Sequence, residues 1–118
     1  MVEIKMEVPD QLAQRLKPAH PWLATLLEIS LAGFRTPAGL TAAEVVNFLA
    51  SGPSPAEVRT LRVSERAQAR LRELLTKNSA GTLSEDEEAE LGEVEQLEHI
   101  LIALKTHAFE LLGAASRG

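Results

Sequence analysis

Cysteine is absent from this 118-residue chain, which excludes thiol catalysis, thiolate metal sites and a disulfide framework. Tyrosine is absent too, aspartate occurs only at Asp10 and Asp86, and histidine only at His20, His99 and His107. That is a thin inventory for proton transfer, so the residues argue against an enzyme. There is no glycine-rich phosphate loop, no Gly-x-Ser-x-Gly elbow and no Ser-His-Asp set. Long apolar runs are missing as well. The longest, Ile100 to Leu104, has five residues, against the ~20 that span a bilayer. The first ten residues alternate charge with apolar groups, unlike a signal peptide. A cytoplasmic protein with no membrane contact and no cofactor is the expectation.

What is there suits one domain, residues 1–118. Apolar residues make up 45% and charged residues 25%, and a chain this long buries roughly two thirds of its unfolded surface without staples. Charge is uneven. Residues 1–79 hold ten Lys/Arg against eight Asp/Glu, whereas residues 80–118 hold two against nine. The net charge of −5 is therefore a near-neutral front and an acidic tail, a statement about partners rather than fold.

Val2, Ile4, Met6 and Val8 alternate with Glu3, Lys5 and Glu7, the period of a strand with one apolar face. Pro9 ends it, and Asp10 is placed to cap a short helix to Lys17 with Leu12, Ala13 and Leu16 buried. A second helix from Pro21 to about Phe34 is apolar nearly all round, which suits a core or an interface. Beyond Leu40 the pattern is helical: 42–51, 55–61, 65–78 and about 85–112. Thr41 with Glu44, Ser54 with Glu57, and Ser84 with Glu87 match the capping box. The last two helices read as an antiparallel hairpin around Gly81. The expected fold is mostly α, with one short N-terminal strand and five or six helices. A lone strand leaves its backbone groups unpaired, so the expectation is intermolecular pairing. Residues 2–34 would then be a dimerisation segment using Val2, Ile4, Met6, Val8, Trp22 and Leu26, and residues 40–112 a helical segment with an acidic last helix. An extended arm lying unpaired on the helices is the alternative.

The run Val8-Pro9-Asp10-Gln11-Leu12-Ala13-Gln14-Arg15-Leu16, between an alternating strand and an apolar helix, resembles the ribbon-helix-helix family, many of whose members are antitoxins. The resemblance covers residues 2–34. It implies a two-copy ribbon in the DNA major groove and a tail that wraps a toxin. Glu3, Lys5 and Glu7 would then face the bases, and Lys5 and Arg15 would be the cationic DNA contacts. Two carboxylates on that face oppose phosphate neutralisation, and His20-Pro21-Trp22-Leu23 stands where the family places small hydroxyl residues.

Three further patterns are weighed. Arg59, Arg62, Arg66 and Arg70 form a stripe if the helix is continuous, but no aromatic residue lies between Phe48 and Phe109 to stack bases. Pairing with the acidic helix or solvent is the simpler account. Eight carboxylates lie between Glu85 and Glu98. The helix dipole explains Glu85 to Glu88, but accounts less well for Glu90, Glu93, Glu95 and Glu98, which would suit a basic protein partner. Glu95 and His99 share a face, but without further ligands a solvated histidine outweighs a metal site.

The leading expectation is a non-enzymatic, antitoxin-like homodimer whose helical tail binds a protein partner, a nuclease toxin being one candidate, through Glu90, Glu93, Glu95, Glu98, Ile102 and Phe109. The first alternative is a dimeric ribbon-helix-helix regulator, with nucleic acid bound through Lys5 and Arg15. The second is a structural subunit of a larger assembly.

Overall fold

The computed structural model describes residues 2–117, and the side chains of residues 2–115. Among the described residues there are six α-helices and a single 3-10 turn. They are α1 (Asp10–Leu16), the 3-10 turn His20–Trp22, α2 (Leu23–Ala32), α3 (Ala38–Ala50), α4 (Pro55–Arg59), α5 (Glu65–Ala80) and α6 (Glu85–Arg117).

The helix starts follow local chemistry. The Ser54 hydroxyl accepts from the Glu57 N–H while the Glu57 carboxylate accepts from the Ser54 N–H, with Pro55 in the first turn of α4. The same reciprocal pair joins Ser84 and Glu87 at the start of α6. Ser64 caps α5 by accepting from Ala67 N–H. Thr41 and Glu44 form no such box, because α3 already begins at Ala38, one turn earlier, after Pro37. Thr41 is buried inside the helix, and the Glu44 carboxylate instead meets Arg66 and Ser64.

The expected strand is not there. Residues 2–9 have no regular secondary structure. A strand exists only through a neighbouring ladder, and a chain that is otherwise helical offers no edge for one. The helical part of the expected fold stands; the strand does not. Nor is Leu12-Ala13-Leu16 a buried stripe: α1 has no buried residue, and Asp10 is its first residue rather than its cap.

The core forms around α6. At 33 residues and 1.5 Å per residue α6 is about 50 Å long, which matches the longest dimension of the molecule, 50 Å. Leu97, Ile100, Leu104 and Ala108 recur at three- and four-residue spacing and make its buried stripe. Against that stripe pack Val58 of α4, Ile29 of α2, and Ala42, Val45 and Leu49 of α3, together with Trp22. The Trp22 indole N–H donates to the Pro53 carbonyl at 2.9 Å, satisfying its one buried polar atom. Its ring also meets His107 edge-on, with centroids 6.0 Å apart. α5 runs back along α6 as the other arm of a hairpin, with Lys77 beside Glu87 and Arg70 beside Glu90.

Gly52 closes the turn between α3 and α4 at φ +76°, and a Cβ there would sit 2.7 Å from the Pro18 side chain and 3.0 Å from its carbonyl oxygen. Gly81 caps α5 at φ +71° with open space around it. The two positions therefore separate backbone strain from steric contact. Gly81→Ala is expected to cost about 1–2 kcal/mol from the left-handed conformation. Gly52→Ala should cost about 2–4 kcal/mol, because crowding against Pro18 adds to the same strain. Urea denaturation of the two variants measures the difference.

Candidate functional site

α5 is tied to its neighbours at both ends, and a gap opens between the ties. At its N-terminal end, Arg66 and Ser64 reach Glu44 of α3. At its C-terminal end, Lys77 Nζ donates to Glu87 Oε2 at 2.6 Å. Between them, Arg70 grips Glu90 with two parallel bonds of 2.8 Å, from Nε and Nη2. The Glu90 side chain is 4% exposed, so this bidentate pair is what makes its burial tolerable. Arg70 also reaches Glu73 at 3.1 Å.

Between these ties the residues of α5 that line the gap are Ala67, Gln68 and Leu71, while Leu74 is fully buried. The link from α4 to α5 forms the other wall with Leu61 and Val63, and Gln68 donates from Nε2 to the Val63 carbonyl at 2.9 Å, holding the link in place. Val94, Leu97, Leu101 and Ile102 of α6 line the far side. The result is a half-open apolar groove of about 610 Å³. This size and lining lie within the range of binding clefts.

Its rim is cationic. Arg59, Arg62 and Lys105 border the groove against one acid, Glu98. Among the described residues none of these three cations is in a salt bridge. The Arg59 guanidinium lies over the Phe109 ring, 5.3 Å from its centroid. This contact extends the apolar surface along α6 through Ile102 and Phe109, which are 58% and 59% exposed.

The residues singled out in the sequence therefore separate. Glu98 and Ile102 line the groove, and Phe109 adjoins it through Arg59. Glu95 is exposed and does not line it. Glu90 is spent on Arg70. Glu93 is spent on the α2–α3 turn: it accepts from Arg35 N–H at 2.9 Å, Thr36 N–H at 3.0 Å and the Thr36 hydroxyl at 2.7 Å. Burial pushes the Glu93 carboxyl up, but these donors outweigh it and leave its pKa below the ordinary value. The arginine stripe divides too. Arg66 and Arg70 pair with carboxylates, while Arg59 and Arg62 face the groove.

At the other end of the chain, Trp22 is in the core and Leu26 packs against it. Val2, Ile4 and Met6 are exposed, and Val8 is half-buried. Lys5 and Arg15 are exposed, and Lys5 has Glu3 within 3.6 Å. His99 and Glu95 are both exposed, and among the described residues no three His, Asp or Glu side chains are grouped to hold a metal ion. No described helix is long and apolar enough to cross a membrane. The groove itself was missed by sequence reasoning. Leu61-Arg62-Val63 alternates within a helix break, which hinted at an extended wall, but the opposing face depends on how α5 docks.

No family model matches this chain, and no curated protein or solved structure matches it either.

Two outcomes follow from the ion pairs. Arg70→Ala leaves Glu90 buried without a partner and should cost about 2–3 kcal/mol, less than a fully buried pair because Arg70 is partly exposed. The Lys77 ammonium, then the Ser84 N–H, hold the Glu87 pKa down at about 2. A folded pKa below the unfolded one adds stability above about pH 4.5, and this is lost as pH falls toward 2. Denaturation profiles from pH 6 to pH 2 should therefore be flatter for Glu87→Gln than for the native chain.

Proposed function

We propose that this chain is a non-enzymatic protein-interaction module that self-associates or engages a protein partner through the groove between α5 and α6. The observation that carries this reading is the continuity of the groove's apolar wall with exposed Ile102 and Phe109. A contiguous apolar surface of this kind, edged by charge, marks an interaction site on a protein that folds around a core. An arginine stacked on an aromatic ring is also the kind of anchor that dominates interface energies. The groove's ionisable groups are three cations and one carboxylate, which suits holding a ligand rather than moving protons.

The antitoxin-like role expected from the sequence belongs to this class, with a toxin as the partner protein. The polarity of the contact is reversed, however. Glu90 and Glu93 are occupied within the chain, and the cationic rim favours an acidic, apolar segment in place of the basic partner first expected. The DNA-reading alternative rests on a ribbon carrying Lys5, and residues 2–9 form none.

Ile102→Asp tests the reading. An exposed site on α6 should keep its stability within about 0.5 kcal/mol of the native chain, because the core stripe faces the other way. Sedimentation should show the native chain in an assembly, either with itself or with a co-expressed protein from the adjacent reading frame, and the variant released from it. A loss of thermal stability with association unchanged overturns the reading.

A further inference from the structure

The fold leaves a second apolar surface uncovered, and it is on the N-terminal arm. Val2, Ile4 and Met6 are 87%, 83% and 73% exposed, so the described residues of their own chain shield them little. In an extended backbone they lie with Val8 on one side, while Glu3, Lys5 and Glu7 lie on the other. We propose that the groove is filled by this arm, residues 2–8, from a second copy of the chain. The proposal rests on the reading of the groove as a protein-docking site and names its occupant.

Length, charge and pattern agree. Residues 2 to 8 in extended form span about 20 Å. The α6 wall from Val94 to Lys105 runs about 16 Å. The arm and the first residue of α1 carry Glu3, Glu7 and Asp10 against Lys5, a net of −2. The rim carries Arg59, Arg62 and Lys105 against Glu98, a net of +2. Alternation lets the arm turn its aliphatic side to Leu61, Val94, Leu101 and Ile102 while its carboxylates stay at the wet edge, where the rim cations are. The contact is side chains in a groove between helices, with no β-ladder.

A second copy is the occupant because the arm lies outside its own groove and leads into α1, whose far end is seated by Pro18 against Gly52. Reciprocal exchange between two copies fills both grooves and closes the assembly as a dimer, so it does not grow into a filament.

The absence of native cysteine makes a direct test clean. One copy carries Ile4→Cys, another carries Ile102→Cys, and the two are mixed under mild oxidation. The expected product is a disulfide-linked species of twice the chain mass, formed in excess over the homodimer of either variant alone. Leu31→Cys, more exposed at 85% than Ile102 at 58%, replaces Ile102→Cys as the collision control and should give little of it. In parallel, Ile4→Asp should weaken self-association by roughly tenfold or more, since a charge would enter an apolar groove. Arg59→Glu with Arg62→Glu should weaken it as well, and Glu3→Arg with Glu7→Arg in the same chain should restore it. The proposal is overturned by a linked yield no greater than the Leu31 control. It is also overturned if a chain carrying both Ile4→Cys and Ile102→Cys links only within itself, or if the native chain sediments as a monomer throughout the micromolar range. Association lost in Ile102→Asp but kept in Ile4→Asp rejects the arm and keeps the groove; association kept in both rejects the groove as well.

Discussion

The buried stripe of α6 is the contact on which the rest of the molecule depends. Leu97, Ile100, Leu104 and Ala108 face one way, and Trp22, Ile29, Ala42, Val45, Leu49 and Val58 are clustered over them. α4 is only five residues long and would not persist alone. It is held because Val58, fully buried, sits on that stripe. Trp22 closes one end, and its indole N–H ties the approach from α1 to the carbonyl of Pro53. A helix that spans the whole long dimension of the molecule makes a platform rather than the centre of a bundle. One side takes the core, and the other leaves Ile102 and Phe109 exposed.

Charge decides how that open side is divided. The acidic run at the start of α6 looks like an interaction surface, yet its inward members are committed to positioning neighbours. Glu87 and Glu90 hold α5 through Lys77 and Arg70, and Glu93 holds the α2–α3 turn through Arg35 and Thr36. Burying Glu90 is costly in itself, and the two-pronged grip of Arg70 compensates and sets the register of the hairpin. These ties hold α5 beside α6, and the groove between them is lined from α5 by Ala67, Gln68 and Leu71. Because the carboxylates are used there, the cations left over at the groove are Arg59, Arg62 and Lys105.

Much of the local structure was legible from the residues. Ser54-Pro55 and Ser84 announced helix starts through hydroxyls three positions ahead of a glutamate. Gly81 announced the turn, and the spacing of Leu97, Leu101, Leu104, Ala108 and Leu111 announced α6. Such signals act within one turn of helix, so they need no tertiary context. Thr41 with Glu44 has the same pattern and fails, because Pro37 starts the helix earlier. Val2 to Val8 has a strand's period and fails for a different reason: alternation records which side is apolar, whereas a strand requires a hydrogen-bonding neighbour.

By itself the sequence determined the helical class, most helix ends, part of the apolar stripe of the last helix and the antiparallel turn before it, since all of these follow from local propensity and periodicity. Only the tertiary structure decided which glutamates are internal, which arginines are left uncompensated, and that the space between α5 and α6 is a groove. Those outcomes depend on pairs such as Arg70 with Glu90 and Arg35 with Glu93, 20 and 58 positions apart in the chain. Such pairings are set by the docking of whole helices, and no periodicity along a single helix encodes the identity of the partner.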